Sequence, residues 1–200
     1  MEITISKYPQ LRYAEMGAGG KLPPPSGKPL LIMGDGSTLN ADMDMVGDIS
    51  GFDIMAVNVG GLLYPEHLTH WVSPHPELFF LFRKFRKRWG DSGTVCHCRD
   101  RVRDGADIGW KFEKDLLLRS SGGLALSVSL MLGYKSVVMA GFPMDQSGHF
   151  YKMMVHETEI DSLHESRHRA SWLKTKGAGL FEHVRGVSGF AAEVFGAVGT

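Results

Sequence analysis

The chain has 200 residues, 43% of them apolar, and this length indicates one well-packed core rather than two. Lysine plus arginine equals aspartate plus glutamate at 22 each, so no overall field directs the chain to nucleic acid or an anionic membrane. The N-terminus lacks a basic segment followed by an apolar one, and Gly133-Tyr134-Lys135 interrupts the longest apolar region, residues 122–142. We therefore expect a cytoplasmic protein with no signal peptide and no stable membrane insertion.

The sequence predicts an alternation of strands and helices after an irregular N-terminal arm. Residues 1–28, with three consecutive prolines, form the arm, and residues 29–200 form the domain. Short apolar runs predict strands at residues 29–33, 53–58, 67–73, 94–98, 136–141 and 180–184. Helical spacing predicts helices at residues 39–46, 76–89, 122–132, 160–174 and 190–195, and residues 99–109 are predicted to be a loop. The alternation predicts a single Rossmann-like α/β domain, with a mostly parallel sheet and helices on both faces.

One predicted helix is rich in aromatic and basic residues. Phe79, Phe82, Phe85 and Trp89 recur at spacings of three and four, which puts them on one face, and basic residues occupy the rest. We favour an amphipathic surface helix with a solvated charged face over a helix that binds nucleic acid. No nucleic-acid partner is therefore expected.

The two cysteines, Cys96 and Cys98, stand one residue apart. Such close neighbours form strained disulfides, so a reducing compartment is the simpler interpretation. With His97 they could supply half of a zinc site, but no second cysteine pair completes it. We favour a buried strand at this segment and expect no metal there.

A glycine turn, residues 34–38, joins the first predicted strand to its helix. Gly34 and Gly36 let the chain turn tightly and approach a ligand, while the amides of the helix start and the hydroxyls of Ser37 and Thr38 suit a phosphate. The turn lacks the third glycine of the dinucleotide fingerprint and the lysine of a Walker loop. The alternative is a tight turn in which Ser37 or Thr38 caps the helix.

Two further segments have residues suited to a ligand. Asn58 ends the second predicted strand, and because ligands of open α/β sheets bind beyond the carboxyl ends of strands, it can share a crevice with the glycine turn. Its amide would read a base or sugar edge, or it is a turn residue that tolerates unusual backbone angles. Ser121, Gly122 and Gly123 open the small-residue helix, where they form a second anion site or an ordinary cap.

Residues 164–168 read His-Glu-Ser-Arg-His and match the HExxH pattern of zinc peptidases. In that pattern two histidines one turn apart bind zinc and the glutamate is the general base. Arg167 fits a dry zinc site poorly, and the third ligand, for which Glu182 and Glu193 are candidates, has no obvious helix signature of its own. A metallopeptidase is therefore an alternative that we do not favour.

The order of these segments resembles a known pattern. The Gly-x-Gly-x-Thr-Leu turn, the strand ending in Asn58, the Ser121-Gly122 helix and the run from Leu132 to Gly141 follow one another as in bacterial lipooligosaccharide sialyltransferases. They are also similar to the related superfamily of 6-hydroxymethyl-dihydropterin pyrophosphokinase (MptE-like) proteins. The stretch from Ser121 to Tyr151 is the most similar, and the resemblance extends loosely from about Leu30 to Gly196.

The resemblance implies roles for individual residues. It places Asp35, Gly36, Thr38, Asn58 and Ser121 at a CMP-sugar donor. Two family tyrosines that steady the departing phosphate fall on Asp145 and Tyr151, and the family's catalytic histidine corresponds best to His164, with His156 and His168 as other candidates. Such a histidine would deprotonate an acceptor hydroxyl.

Several positions depart from the relatives. Asp35 stands where the sialyltransferases have asparagine, and a carboxylate there fits a ribose hydroxyl or a metal bridged to phosphates. Asp145 replaces a tyrosine, and a carboxylate repels a phosphate unless a cation lies between. His75 and Pro143 stand where pterin-type relatives tend to have acids, which weakens the case for metal-assisted pyrophosphoryl transfer.

The sequence therefore favours a transferase that uses a nucleotide-activated donor, most of all a sialyltransferase-like glycosyltransferase with a CMP-sugar donor and a histidine base. Its partners would be a nucleotide or nucleotide sugar and a small-molecule or glycan acceptor, and self-association is left open. No cofactor is required in this case. The alternatives are an ATP-dependent pterin pyrophosphokinase that uses Mg²⁺, the zinc peptidase, and an inactive nucleotide-binding module.

Overall fold

The computed structural model describes residues 26–62, 64–91, 93–100, 102, 105–112, 120–145, 162–177 and 181–199, and residues 11–16 by their backbone alone; within α4 the side chains of residues 166–176 are described. The strands are β1 (Leu11–Met16), β2 (Leu30–Met33), β3 (Asp53–Val57), β4 (His70–Val72), β5 (Val95–Arg99), β6 (Ile108–Phe112), β7 (Val137–Ala140) and β8 (Val184–Gly186). The helices are α1 (Leu39–Val46), α2 (Phe79–Lys87), α3 (Ser121–Met131), α4 (Ser162–Gly177) and α5 (Gly189–Phe195). Short 3₁₀ helices span Asn58–Leu62 and Pro76–Leu78.

The described strands form one sheet in the order β1-β6-β5-β4-β3-β2-β7-β8. Strands β2 to β8 pair in parallel, and β1 pairs antiparallel with β6 at the edge. Apolar side chains cover both faces of the central strands, as expected where helices pack on both sides of a parallel sheet. The predicted α/β class with a mostly parallel sheet is confirmed.

Two hydrophobic clusters lie on the two faces of the sheet. In β2 the side chains alternate, so that Leu30 and Ile32 enter one cluster while Leu31 and Met33 enter the other, and each is almost fully buried. The first cluster includes residues of α3, α4 and α5, and the second includes residues of α1 and α2. Full burial of one such side chain contributes about 1.5–3 kcal/mol. Apolar packing therefore holds α3, α4 and α5 on one face of the sheet and α1 and α2 on the other.

The strand order reverses beside β2. The chain passes from β2 to β3 on one side, whereas β7 pairs with β2 on the other, and Met33 lies opposite Ala56 and Ala140 in the two registers. Ligands of open α/β sheets bind at such a switch point, beyond the carboxyl ends of the strands. The turns that follow β2, β3 and β7 therefore lie at this switch point.

Two predicted irregular regions contain strands. Residues 11–16 of the predicted arm form β1, and the predicted loop at residues 99–109 overlaps β6, which begins at Ile108. Both predictions were wrong at these positions because the two strands pair with each other, and such long-range pairing has no local pattern. Cys96 and Cys98 are buried in β5 and form no disulfide, and the segment is a buried strand as predicted.

The aromatic helix packs differently from its sequence pattern. Phe79 and Phe82 are buried, but Phe85 and Trp89 are 44% and 49% exposed, and Arg86 is buried instead. The Arg86 guanidinium donates to the carbonyl oxygens of three residues and to the Asp91 carboxylate; the carbonyls belong to Gly61, Tyr64 and Glu66. These bonds replace water for a buried cation, so the helix turns Arg86 inward and the later aromatics outward.

Candidate functional site

The glycine turn after β2 is bonded to the turn after β7. The amide of Gly34 donates to the Ala140 carbonyl (2.8 Å) and the amide of Gly36 donates to the Gly141 carbonyl (3.0 Å). A methyl group on Gly36 would lie 2.4 Å from Pro143 Cδ. Both glycines are therefore required by close packing between the two turns. Neither of these two amides is directed at a ligand.

The carboxylate of Asp42 in α1 is hydrogen-bonded to the same turn. Its carboxylate is 1% exposed and accepts hydrogen bonds from the Thr38 hydroxyl (3.1 Å), the Gly141 amide (2.7 Å) and the Ser188 hydroxyl (2.5 Å). These bonds join the turn after β2, the turn after β7 and the residue before α5. Asp42 was missed by the sequence reasoning, and its position four residues after Thr38 was the only local signal. The Thr38 hydroxyl donates to this carboxylate, and Thr38, at the start of α1, makes no side-chain cap.

Asn58 follows β3 directly and adopts a left-handed backbone with φ of 50°. The Ser73 hydroxyl accepts from the His75 amide and donates to Asn58 Oδ1 (3.0 Å), so it fixes the orientation of the side-chain amide. Among the described residues, the Nδ2 group of Asn58 has no partner, and it remains as a donor at the carboxyl edge. The backbone of Asn58 is that of the predicted turn residue, and the contact of its amide with a base or sugar edge stays a prediction.

The start of α3 reaches the same place. Ser120 caps the helix, because its hydroxyl oxygen accepts from the Gly123 amide (3.0 Å), and Trp172 Nε1 donates to the same oxygen (3.0 Å). A methyl group on Gly122 would lie 2.6 Å from the ring of Phe142, and one on Gly34 would lie 2.9 Å from the same ring. The turn after β2 and the start of α3 therefore both pack against the ring of Phe142.

The turn after β3 completes the arrangement. A methyl group on Gly60 would lie 2.6 Å from the carbonyl oxygen of Gly34. Three of the segments predicted from the sequence therefore converge at the switch point: residues 34–38, residues 58–61 and the start of α3. We call this region the carboxyl edge.

The remaining predicted site residues are placed only in part. Asp145 is exposed just after the turn that follows β7. His164 lies in the first turn of α4, but its side chain and that of Glu165 are outside the described residues, as is Tyr151. In the described part of the chain, no group of three His, Cys, Asp or Glu residues is placed to hold a metal ion. The roles of these residues stay predictions.

Arg169 supplies a cation beside the turn after β7 and was missed by the sequence reasoning. Its guanidinium donates to the Met144 carbonyl (3.1 Å), lies 3.9 Å from the centre of the Phe190 ring and pairs with the exposed Glu193 at 3.4 Å. Arg169 directly follows His168 and is five residues after His164 along α4. Arg169 thus places a guanidinium beside the turn after β7, where the Glu193 carboxylate pairs with it.

A second polar cluster begins at the opposite, amino-terminal edge of the sheet, where Asp53 and His70 open β3 and β4, and runs inward to His97 and Trp110 in the middle of β5 and β6. The Trp110 indole can only donate, so His97 Nδ1 accepts from it (3.0 Å), and His97 Nε2 therefore carries the proton toward His70 Nδ1 (3.0 Å). His70 Nε2 then donates to the Tyr134 hydroxyl oxygen (2.9 Å), which donates to Asp53 (2.7 Å). Every member of the chain thus has a partner, and the direction of each bond follows from the indole.

Burial keeps both histidines of this cluster neutral. It lowers the pKa of His70 to about 4, against the opposing effect of the Asp53 carboxylate. It also lowers the pKa of His97 well below its usual value, and the neighbouring His70 adds to that effect. Burial raises the pKa of the Tyr134 hydroxyl, as does its hydrogen bond to Asp53. The cluster is closed and charge-poor, which suits a structural role.

Two solved structures share the fold of this chain. No protein-family model and no curated protein matches the sequence. A mutant of the alpha-2,3/8-sialyltransferase CstII is similar with a TM-score of 0.53 and 12% identity, over 85% of this chain and 86% of that chain. The monofunctional alpha-2,3-sialyltransferase Cst-I from Campylobacter jejuni is similar with a TM-score of 0.50 and 11% identity, over 85% and 80%. The resemblance seen in the sequence is thus matched by a shared fold.

Proposed function

We propose that this protein is a transferase that binds a nucleotide-activated donor at the carboxyl edge, as a sialyltransferase-like glycosyltransferase with a CMP-sugar donor. The observation that carries the proposal is the convergence of residues 34–38, the turn that begins at Asn58 and the start of α3. They meet at the topological switch point of a fold shared with two sialyltransferases.

The donor would be held mainly by main-chain groups and one oriented amide. Backbone amides near Ser37 and at Ser121 would face the phosphate, because the starts of α1 and α3 have positive dipole ends. The Nδ2 group of Asn58 would donate to the base or sugar edge. Asp35 would accept from a ribose hydroxyl, the role that a carboxylate fills without a metal.

The chemical step would use groups near the carboxyl edge. The acceptor hydroxyl oxygen attacks the anomeric carbon, the bond from that carbon to the phosphate oxygen breaks, and CMP leaves with the electron pair. His164 would take the acceptor proton, and Tyr151 would donate a hydrogen bond to the departing phosphate. Arg169 would offset the charge of the phosphate near Asp145.

Isothermal titration against CMP, CDP, UDP and ATP, each with and without Mg²⁺, tests the donor site. We expect CMP to bind without Mg²⁺ and more tightly than UDP or ATP. Binding of ATP–Mg²⁺ without binding of CMP would replace the proposal by a pyrophosphokinase. Absence of binding to all four nucleotides would refute the donor site itself.

The catalytic role of His164 has a separate test. A His164→Ala variant should bind CMP as tightly as the unmodified protein but lose at least ~100-fold in the hydrolysis or transfer of a CMP-sugar. His67→Ala is the matched control, because His67 is exposed at the opposite edge of the sheet. One zinc per chain by metal analysis, lost together with activity on His164→Ala, would favour the peptidase alternative.

A further inference from the structure

The outer face of α2 exposes large apolar side chains. Phe80 is 76% exposed, Leu81 48%, Phe85 44% and Trp89, just beyond the helix, 49%. The inward face is already filled by Phe79, Phe82, Arg83 and Arg86. An exposed cluster of four such residues on one short element indicates a surface that binds something.

Cations are interleaved with these apolar residues. Lys84, Lys87 and Arg88 are exposed on the same face, and the Arg88 guanidinium lies 5.6 Å from the centre of the Phe85 ring. No acidic residue occurs between Phe79 and Arg88. The two other arginines of α2 are paired inward, Arg83 with Asp107 and Arg86 with Asp91. The outer face is therefore both apolar and positively charged.

We propose that this surface, which we call the α2 face (Phe80, Leu81, Lys84, Phe85, Lys87, Arg88 and Trp89), docks the protein on an anionic phospholipid bilayer. Phenylalanine, leucine and tryptophan side chains enter the boundary between headgroups and acyl chains, and lysine and arginine contact anionic headgroups. No helix in the described parts of the chain is long and apolar enough to cross a membrane. The inferred contact is peripheral.

Charge and shape favour a bilayer over other occupants. A second copy docked through the same face would bring Lys84, Lys87 and Arg88 against their own equivalents, which like-charge repulsion opposes. A nucleic acid would use aromatic rings as platforms for bases, whereas the α2 face also exposes the aliphatic side chain of Leu81, which offers no such platform. Anionic headgroups complement the cations and the apolar boundary accepts the patch. The inference does not depend on the proposed transferase activity.

Trp89 provides a direct probe of this contact. The chain has four tryptophans, and Trp71, Trp110 and Trp172 are buried in the core, so a change of emission on binding reports on Trp89. We expect a blue shift when vesicles of phosphatidylcholine mixed with phosphatidylglycerol are added, and none with phosphatidylcholine alone. A Trp89→Phe variant should co-sediment with the anionic vesicles but show no shift.

Variants separate the apolar and ionic contributions. Lys84→Glu with Lys87→Glu should weaken co-sedimentation with anionic vesicles by at least ~20-fold at low salt, because each surface charge contributes about fivefold. Phe80→Ser with Phe85→Ser should weaken it by a further ~10-fold or more. Lys174→Glu with Lys176→Glu, and Leu173→Ser, change exposed residues of α4 and are the matched controls that should bind unchanged.

Several outcomes would overturn the inference. These are absence of co-sedimentation with anionic vesicles, equal loss in the α4 controls, or binding that survives all the α2 variants. Binding to a single-stranded oligonucleotide, with none to vesicles, would assign the face to nucleic acid. Concentration-dependent dimerisation abolished by Phe80→Ser and Phe85→Ser, again without vesicle binding, would assign it to self-association.

Discussion

The two edges of the sheet use polar groups in opposite ways. From the amino edge inward, a chain of hydrogen bonds gives each polar group a partner in the next; its members are Asp53, Tyr134, His70, His97 and Trp110. At the carboxyl edge, glycines bring three turns together, and the Nδ2 group of Asn58 has no partner among the described residues. A buried cluster of titratable groups is therefore not by itself a functional site. Turns that converge and carry a hydrogen-bond donor without a partner among the described residues indicate a binding site better.

The largest effect should come from adding a methyl group where the turns meet. In Gly34→Ala the new Cβ would lie 2.4 Å from the Gly141 carbonyl oxygen, which belongs to a backbone that cannot move freely. We expect a loss of about 4 kcal/mol in the free energy of unfolding, measured with urea.

Gly51→Ala is the matched control for this substitution. A methyl group on Gly51 has no neighbour within 4 Å, so its effect should stay within about 0.5 kcal/mol. Equal effects at the two glycines would show that the turns are not closely packed and would remove the contrast between the edges.

A smaller effect should follow from pH at the amino edge. The unfolded histidine has a pKa near 6.5, whereas His70 has one of about 4, so the unfolded state binds more protons between these values. The contribution of the neutral, buried His70 to the free energy of unfolding is therefore fully present above pH 6.5 and is lost as the pH falls toward 4. From pH 7 to pH 5 we expect His70 to account for about 2 kcal/mol of loss.

Urea unfolding at several pH values measures this dependence. A His70→Gln variant should be less stable at pH 7 but show a flatter profile, while a variant of the exposed His75, His75→Gln, should keep the full slope. If all three profiles were parallel, the buried pair would not control the acid sensitivity.

The smallest effect concerns the link between the histidines and Asp53. Tyr134→Phe removes a hydroxyl that accepts from His70 and donates to Asp53, and we expect a loss of roughly 1 kcal/mol. Tyr64→Phe removes a hydroxyl that donates to the exposed Glu66 and should cost less than about 0.5 kcal/mol. An equal change in both variants, measured by thermal unfolding, would contradict a closed chain at the amino edge.

The fold was predictable from the sequence where apolar runs are continuous. The burial of β2, β3 and β7 follows from their composition, and their parallel pairing places the turns after them at one edge.

The Leu132-Gly133-Tyr134 run, part of the resemblance seen in the sequence, forms the end of α3. Gly133 has φ of +84° and, with Tyr134, closes the end of α3 by bonds to Leu130 and Ser129, after which Tyr134 reaches Asp53.

Other features depend on partners distant in sequence and could not be predicted. Asp42 is surrounded by donors from residues 99 and 146 positions away, and no local pattern indicates them. Arg86 takes the buried position expected for the aromatics because its guanidinium donates to the carbonyl oxygens of Gly61 and Glu66, which are 25 and 20 residues earlier in the chain. The helical period alone would have put Phe85 and Trp89 in the core.

Nucleotide binding compared between the two edges tests the central claim most directly. Isothermal titration with CMP should give an affinity at least ~10-fold weaker for Asn58→Ala than for the unmodified protein, because a hydrogen bond to the ligand is lost. Asn40→Ala, an exposed residue of α1, and Tyr134→Phe at the amino edge should bind CMP within about twofold of the unmodified protein. Unchanged binding in Asn58→Ala, or equal weakening in Tyr134→Phe, would contradict a donor site at the carboxyl edge.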